Sequence, residues 1–325
     1  EMGPARVRYT PPVSRLHTVS RILTFGVCLA AAACSGEGAD DTDATGADGL
    51  PSTTASDTNA DAPETSEADS DSGMKLDVGT TGMTGNTGET GEECDQDVDI
   101  VFVMDVSTTM GPFHDKLEEE ITAVDTFLSN YNLPSPPQYG LVVFVDDYLL
   151  ANAGAPYANV DALRADFEMW NTHTSSNQQV NTPSSNTTWP ENSLDAIFAA
   201  AAGYQWRPAD TTLRIVIHTT DDTFWDGPTT GNNIMIDHSY AETVDALQQG
   251  TIRQFSFAAL IGGPLSDQDV SVGWNTPYMG MDPIPQQTGG GWWNIDEVLA
   301  DQVSLSASIE QAIEDSLCEE YPPID

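Results

Sequence analysis

The sequence predicts an α/β fold with a mostly parallel central sheet, one antiparallel edge strand and helices on both faces. Four apolar, β-branched runs have the composition of strands buried on both faces, which is typical of parallel sheets. Helical patterns with one apolar face lie between these runs, and such alternation is typical of α/β proteins. The four strand runs lie at residues 98–104, 139–145, 213–218 and 255–261.

The remaining elements follow from spacing and from helix-boundary residues. Apolar residues three and four positions apart predict a helix that begins near Lys116. Pro190 favours the start of a later helix, since proline is tolerated in a first turn. Further helices are expected at 160–170 and 240–249, and short strands at 148–151 and 289–295. A closing helix is predicted from the apolar face formed by Leu305, Ile309, Ile313 and Leu317.

Residues 1–33 predict a signal peptide of the lipoprotein type. Arginines precede an apolar run at 22–33, which is too short to span a bilayer comfortably. The run ends in Ala-Ala-Ala-Cys-Ser, which resembles a bacterial lipobox with Cys34 as the lipidated residue. Ser35 after this cysteine resembles a signal for the outer membrane, on its periplasmic or its surface side. An ordinary signal peptide, cleaved nearby, is the alternative.

Residues 34–92 predict a disordered acidic tether behind the lipidated cysteine. The stretch is rich in Ser, Thr, Gly and acidic residues and contains almost no aliphatic or aromatic side chains, so it cannot build a core. The folded domain is expected at 93–320, with 321–325 as a tail. The formal net charge of −41 argues against nucleic-acid binding and against an anionic membrane surface. Membrane contact is therefore expected through the lipid only.

The candidate site begins where the first predicted strand ends. Asp105, Ser107 and Thr109 place a carboxylate and two hydroxyls at the carboxyl end of a central strand. Open α/β sheets bind their ligands at this edge. Hard oxygen donors at alternating positions of a tight turn suit Mg²⁺ or Ca²⁺. The alternative is an Asp/Ser/Thr turn that only caps the next helix.

Together with two later motifs, this turn resembles the metal-ion-dependent adhesion site of von Willebrand factor A (vWA) domains. The first motif is Asp-x-Ser-x-Thr followed by Met. The second is a Thr just before the helix predicted at Pro190, either Thr188 or, as the less favoured register, Thr187. The third is the Thr220-Asp221 pair after the third strand run. The resemblance covers roughly residues 95–317 and implies a Rossmann-like vWA sandwich.

The resemblance also implies how a cation would be held. Hydroxyl oxygens of Ser107, Thr109 and Thr188 would bind it, and Asp105 and Asp221 would bind directly or through water. The expected ion is Mg²⁺, with Mn²⁺ or Ca²⁺ as alternatives. A site dominated by neutral hydroxyls leaves an open position, which should accept an Asp or Glu carboxylate from a protein partner. Thr109 stands where the family has Ser, and its methyl group would crowd the ion.

Cys94 and Cys318 bracket the predicted domain. In an exported protein this placement favours a disulfide that joins the ends of the domain, which also occurs in some vWA relatives. Two unpaired thiols are the alternative, which an oxidising compartment disfavours.

Other polar and aromatic residues near the motifs are assigned less specific roles. At the same end of the sheet, negative charge that would help to capture a cation and repel an anionic partner comes from Asp146, Asp147, Glu191, Asp222 and Asp226. Solvated loop charge is the default expectation for all five. Candidates for an aromatic rim around a ligand, or equally for packing, are Trp189, Phe224 and Trp225. The loop at 262–287 is long enough to suggest a functional loop or lid.

No pattern typical of an enzyme is present. The sequence has no His pair at metal-binding spacing, no nucleophile elbow and no phosphate-binding loop, and His218 is expected in the core of a strand. We therefore expect a lipid-anchored envelope protein whose monomeric head binds a protein through the cation. The alternatives are a non-catalytic scaffold in which any metal is structural and, less favoured, a metal-dependent hydrolase.

Overall fold

A six-stranded sheet forms the centre of the part of the chain that the computed structural model describes, residues 95–261 and 269–324. The strands are β1 (Asp97–Asp105), β2 (Gln138–Phe144), β3 (Tyr148–Leu150), β4 (Thr212–Thr220), β5 (Thr229–Gly231), β6 (Ile234–Ile236), β7 (Ile252–Ala258) and β8 (Trp292–Asn294). The sheet order is β3-β2-β1-β4-β7-β8, and β5 and β6 form a separate antiparallel hairpin. All pairs in the sheet are parallel except β2 with β3 at the edge. The predicted fold class is therefore confirmed.

Helices cover both faces of the sheet. They are α1 (Gly111–Asn130), α2 (Val160–Thr174), α3 (Ser193–Gly203), α4 (Tyr240–Gln249), α5 (Ile284–Gln287), α6 (Ile295–Leu299) and α7 (Leu305–Ser316). Alternate residues of β1 point into two different cores. Ile100 and Phe102 pack with α1, α2 and α7, whereas Val101 and Val103 pack with α3 and α4. Burial of both faces explains why the first strand run is continuously apolar.

Two helix starts differ from the sequence prediction. Helix α1 begins at Gly111 rather than near Lys116, because Pro112 occupies the first turn, where no backbone N–H is needed. Helix α3 begins at Ser193 rather than at Pro190. Asn192 caps it by accepting a hydrogen bond from the Asp195 backbone N–H at 3.3 Å, and the proline lies in the preceding loop.

Strand β7 lies three residues earlier than the predicted run at 255–261. The first residues of β7 include two buried polar residues, Arg253 and Gln254, which the apolar pattern did not predict. The Arg253 guanidinium donates to backbone carbonyls of Gly289, Glu319 and Glu320 at 2.8–3.0 Å, which compensates for its burial. At the other end, the prediction of a buried strand was wrong for Leu260 and Ile261, which lie after β7 and are exposed.

The N-terminal predictions lie outside the described residues. They are the signal peptide, the lipidated Cys34, the tether at 34–92 and Cys94. The Cys318 backbone N–H donates to the side-chain oxygen of Gln96 at 3.0 Å. Gln96 is two positions after Cys94 in the sequence. The Cys94–Cys318 pairing stays a prediction. In the described residues, none of the helices has the length and apolar character required to cross a membrane.

His218 lies in the core of β4, as predicted. Its Nδ1 is 3.2 Å from the Ser256 hydroxyl oxygen, and its ring centroid is 4.3 Å from that of Trp274. Burial disfavours the charged imidazolium and lowers the pKa of His218 to about 3.

We predict that protonation of His218 weakens the fold as the pH falls. The pKa in the folded state is depressed below the unfolded value of 6.5, so the stabilisation is complete above that pH and is lost progressively toward pH 3. Relative to His218→Phe, the wild-type free energy of unfolding should fall by roughly 2–3 kcal/mol between about pH 6.5 and pH 4.5. Urea unfolding at several pH values measures this difference. The partly exposed His173, changed to Phe, is the control, and parallel pH profiles for wild type and His218→Phe would contradict the prediction.

Candidate metal site

The first and third motifs meet because β1 and β4 are parallel neighbours. Met104 pairs with Thr219, so Asp105 and Thr220 end adjacent strands at the same edge. The Asp105 carboxylate is fully buried and fixed at both oxygens. The Ser107 backbone N–H donates to Oδ1 at 2.8 Å, and the Thr220 hydroxyl donates to Oδ2 at 2.7 Å.

Thr109 and Asp221 lie together above this pair. The Thr109 hydroxyl lies close enough to the Asp221 carboxylate to oppose the rise that burial causes in the pKa of Asp221. Two buried oxygens, Ser107 Oγ and Asp221 Oδ1, have no hydrogen-bond partner among the described residues. Buried polar atoms without partners are uncommon and call for an explanation, such as a bound ion.

The structure places Thr188, and not Thr187, at the site. The Thr188 hydroxyl donates to both carboxylate oxygens of Asp146, at 2.8 and 2.9 Å. Because the bond uses the hydroxyl proton, the lone pairs of the oxygen stay available to a cation. The Thr187 hydroxyl instead donates to Asn232 at 2.9 Å. Asp146 is itself held by Gln179 at 2.7 Å and therefore acts as a positioning residue for Thr188.

A cavity of about 280 Å³ lies over these residues. Four of the five predicted metal-site residues line it directly, and Asp105 lies beneath, bonded to the Ser107 backbone. The lining is Ser107, Thr108, Thr109, Asn177, Asn186, Thr188, Trp189, Glu191, Asp221 and Asp222. Four of the predicted residues thus share one concave surface at the carboxyl edge of the sheet, and Asp105 is bonded to one of them.

Three acidic residues expected to be solvated are buried, and that expectation was wrong for them. Asp146 is 0% exposed, Glu191 1% and Asp222 9%. The backbone of Glu191 pairs with residues 223–225, more than thirty positions away, so no local pattern could reveal its burial. Glu191 and Asp222 line the cavity instead of facing water, and Asp146 accepts the hydrogen bond from Thr188 beside it.

The buried carboxylates raise one another's pKa values. Burial, with the nearby Asp221 charge, raises the pKa of Asp105 to about 7. Burial, with the charges of Asp105 and Asp221, raises the pKa of Asp222 to about 8, and the pKa of Glu191 also lies well above its ordinary value. No Arg or Lys of the described residues contributes to these shifts. The cluster therefore lacks a neutralising positive charge from the described chain.

The donor set fits a hard divalent cation. All the groups at the cavity that could bind an ion supply oxygen, which suits Mg²⁺, Mn²⁺ or Ca²⁺ rather than softer metals. In the described part of the chain, no group of three or more His, Cys, Asp or Glu side chains has a metal-binding arrangement. Hydroxyl oxygens from Ser107, Thr109 and Thr188 would have to complete the coordination.

One of the three candidate rim aromatics stands at the mouth of the cavity. Trp189 lines it and is 43% exposed. Trp225 donates its indole N–H to Asp146 at 3.3 Å. Phe224 packs edge-on against Trp274, with ring centroids 5.3 Å apart, next to the core between the sheet and helices α3 and α4. Of these three aromatics, only Trp189 presents its surface to a ligand in the cavity.

No protein-family profile and no curated protein sequence matches the chain. Solved structures of similar fold include an aerotolerance-related membrane protein from Bacteroides fragilis NCTC 9343, with 13% identity over 68% of this chain and 98% of that chain, at a TM-score of 0.39. Human COPII-coat protein Sec24c has 14% identity over 69% of this chain and 33% of that chain, at 0.42. Proximal thread matrix protein 1 from the mussel byssus has 14% identity over 67% and 46%, at 0.35. This chain thus spans less than half of the latter two.

The fold is that of a vWA-like domain. The mostly parallel sheet, the antiparallel edge strand β3 and the helices on both faces are the architecture that the resemblance implies.

We predict that Asp105→Asn reverses its effect on stability when a cation is added. In chelator at about pH 8, the variant should be more stable than wild type by on the order of 2 kcal/mol, since it removes a buried charge that Asp221 repels. With Mg²⁺, Mn²⁺ or Ca²⁺, wild type should gain stability by mass action and the variant should gain little. Thermal unfolding with and without EDTA measures both effects.

Asp245→Asn, an exposed substitution on α4, is the matched control and should respond to each ion as wild type does. An equal rise of the unfolding midpoint in wild type and Asp105→Asn would show that the ions act elsewhere on the chain.

Proposed function

We propose that the chain is a non-catalytic, cation-dependent protein-binding module of the bacterial cell envelope. The observation that carries the proposal is the cavity at the ends of β1 and β4, where buried oxygens lie among carboxylates and have, within the described residues, neither a hydrogen-bond partner nor a basic neighbour. A divalent cation would neutralise these carboxylates and bind the unpaired oxygens.

The residues at the cavity have separate tasks in this proposal. Ser107, Thr109 and Thr188 would hold Mg²⁺, Mn²⁺ or Ca²⁺ by their hydroxyl oxygens, with Asp105 and Asp221 bound directly or through water. When bound, the ion supplies a Lewis-acidic position for an Asp or Glu carboxylate of a protein partner. Trp189 offers an apolar surface for the residues that flank this carboxylate.

The proposed location follows from the N-terminal sequence. A lipid on Cys34 would anchor the chain to the membrane, and residues 34–92 would hold the head, a monomer, away from it. The negative charge of the chain disfavours nucleic acid as a partner. A disulfide between Cys94 and Cys318 would join the ends of the head, and the hydrogen bond between Cys318 and Gln96 supports it.

A second candidate is a scaffold in which the cation only stabilises the loops. The mutual repulsion of Asp105, Asp221 and Asp222 favours it, because a cation would stabilise this edge of the sheet without any partner. Catalysis is less favoured, since the sequence has no nucleophile elbow, no phosphate-binding loop and no His pair at metal-binding spacing.

We predict that displayed random peptides selected on the protein in Mg²⁺ or Ca²⁺ and eluted with EDTA will share an acidic position. Its change to Asn or Gln should abolish binding, because an amide is a poorer ligand for the ion than a carboxylate. Selection on Asp105→Asn is the control and should give no EDTA-eluted sequences. Peptides without an acidic position would contradict the carboxylate bridge, and a cation-stabilised protein that selects no peptide would favour the scaffold.

A further inference from the structure

Helix α3 has an apolar outer face. From Ala196 to Ala202 its sequence contains only Ala, Ile and Phe. Three of these residues are buried in the core between the sheet and helices α3 and α4. The other four, Phe198, Ala199, Ala201 and Ala202, are half-buried or exposed. A surface helix normally carries polar residues on its outer side, so this face lacks the side chains that water favours.

A groove between α3 and α4 runs beside this face and contains a cavity of about 430 Å³. We call it the α3–α4 groove. Its apolar lining is Phe198, Ala201, Ala202 and Ala246, and its acidic lining is Glu242 and Asp245. The groove shares no lining residue with the metal cavity, so it is a separate surface of the domain.

The apolar wall of the groove is held in place by contacts within the domain. The Phe198 ring stacks on the His238 ring, with centroids 3.5 Å apart. His238 Nδ1 lies 2.8 Å from the buried Asp195 carboxylate. This carboxylate also accepts hydrogen bonds from the backbone N–H groups of Asp237 and His238. Because the wall is already ordered, less entropy is lost when a partner binds to it.

The side of the groove formed by α4 is acidic. Glu242 and Asp245 are exposed, and hydrogen bonds from Ser239 lower the pKa of Glu242, so this carboxylate is ionised at neutral pH. Neither α3 nor α4 contains Lys or Arg, and the His238 ring beside Phe198 is paired with Asp195. An apolar wall beside two carboxylates is complementary to an apolar surface that carries Lys or Arg.

The length of the groove suits one short helix. Helix α3 has 11 residues and α4 has 10, and the two pack side by side. At 1.5 Å per residue this is about 15 Å, or roughly three helical turns. A third helix that lies along such a groove inserts apolar side chains from positions i, i+3 or i+4, and i+7.

We propose that the α3–α4 groove binds an amphipathic helix of a partner protein whose apolar face is flanked by Lys or Arg. This interaction needs no cation and is additional to the function proposed for the metal cavity. A second copy of the chain is disfavoured as the occupant, because at a net charge of −41 it would bring further negative charge to the groove. Residues 35–92 are disfavoured for the same reason, since Lys75 is their single basic residue.

The test selects displayed random peptides on the full chain in EDTA and at physiological ionic strength, so that binding through a cation is absent. Enriched sequences should carry apolar residues at i, i+3 or i+4, and i+7, with Lys or Arg beside them. Synthetic forms of these peptides should become helical on binding, measured by circular dichroism. Amide hydrogen exchange of the protein should slow at 193–203 and 240–250.

Substitutions at the groove show whether the peptides bind there. Ala202→Lys adds a positive charge and a long side chain to the groove and should raise the Kd of the peptides about tenfold or more, because like charges repel across an interface. Asp245→Lys replaces an attractive charge by a repulsive one and should act in the same direction. The matched controls are Ala123→Lys on α1 and Glu168→Lys on α2, both exposed. Each changes the net charge by as much as its groove variant and should keep the wild-type Kd.

Thermal unfolding checks the fold of each variant, and if one groove variant unfolds, the other decides. Peptides that bind both groove variants as tightly as wild type would overturn the proposal, as would the selection of acidic peptides or of none. A wild-type dimer that dissociates in Ala202→Lys on analytical ultracentrifugation would assign the groove to a second copy and overturn it too. These outcomes leave the proposed function standing, because no cation is present, and a protein that binds no cation would leave the groove proposal standing.

Discussion

The central constraint on this structure is the burial of acidic side chains at the carboxyl edge of the sheet without a basic neighbour among the described residues. Asp105 is fully buried, and Asp221, Asp222 and Glu191 lie around the same cavity. Such an arrangement opposes folding unless a positive charge compensates it. A cation-binding role explains both the burial and the unpaired oxygens, whereas a purely structural turn explains neither.

The fold holds these groups together through long-range pairing. Strand β1, which is buried on both faces, ends at this edge with Asp105, and its parallel neighbour β4 ends there with Thr220. The Thr220 hydroxyl donates a hydrogen bond to the Asp105 carboxylate at 2.7 Å. The Asp146 carboxylate accepts hydrogen bonds from the Thr188 hydroxyl and from the Gln179 side-chain amide. The oxygens at the cavity are thus held before any ligand arrives, which lowers the cost of ordering them on binding.

The features that depend on residues close together in the chain could be predicted from the sequence. The turn at 105–109 and the Thr-Asp pair at 220–221 carry their side chains at fixed spacing, and α4 agrees with its predicted bounds at 240–249 because its Ser-Glu capping box and apolar spacing are local signals. The burial of Glu191 depends on pairing with residues 223–225, which local spacing does not encode. The start of β7 could not be predicted either. Arg253 is polar but buried, because its guanidinium donates hydrogen bonds to backbone carbonyls more than sixty positions away.

Anomalous diffraction from crystals soaked in Mn²⁺ tests the central claim most directly, since it locates the ion without assuming its ligands. We expect one strong peak inside the cavity, within coordination distance of the Ser107 hydroxyl and the Asp221 carboxylate. An empty cavity at millimolar Mn²⁺, or peaks only at exposed acidic side chains, would contradict it.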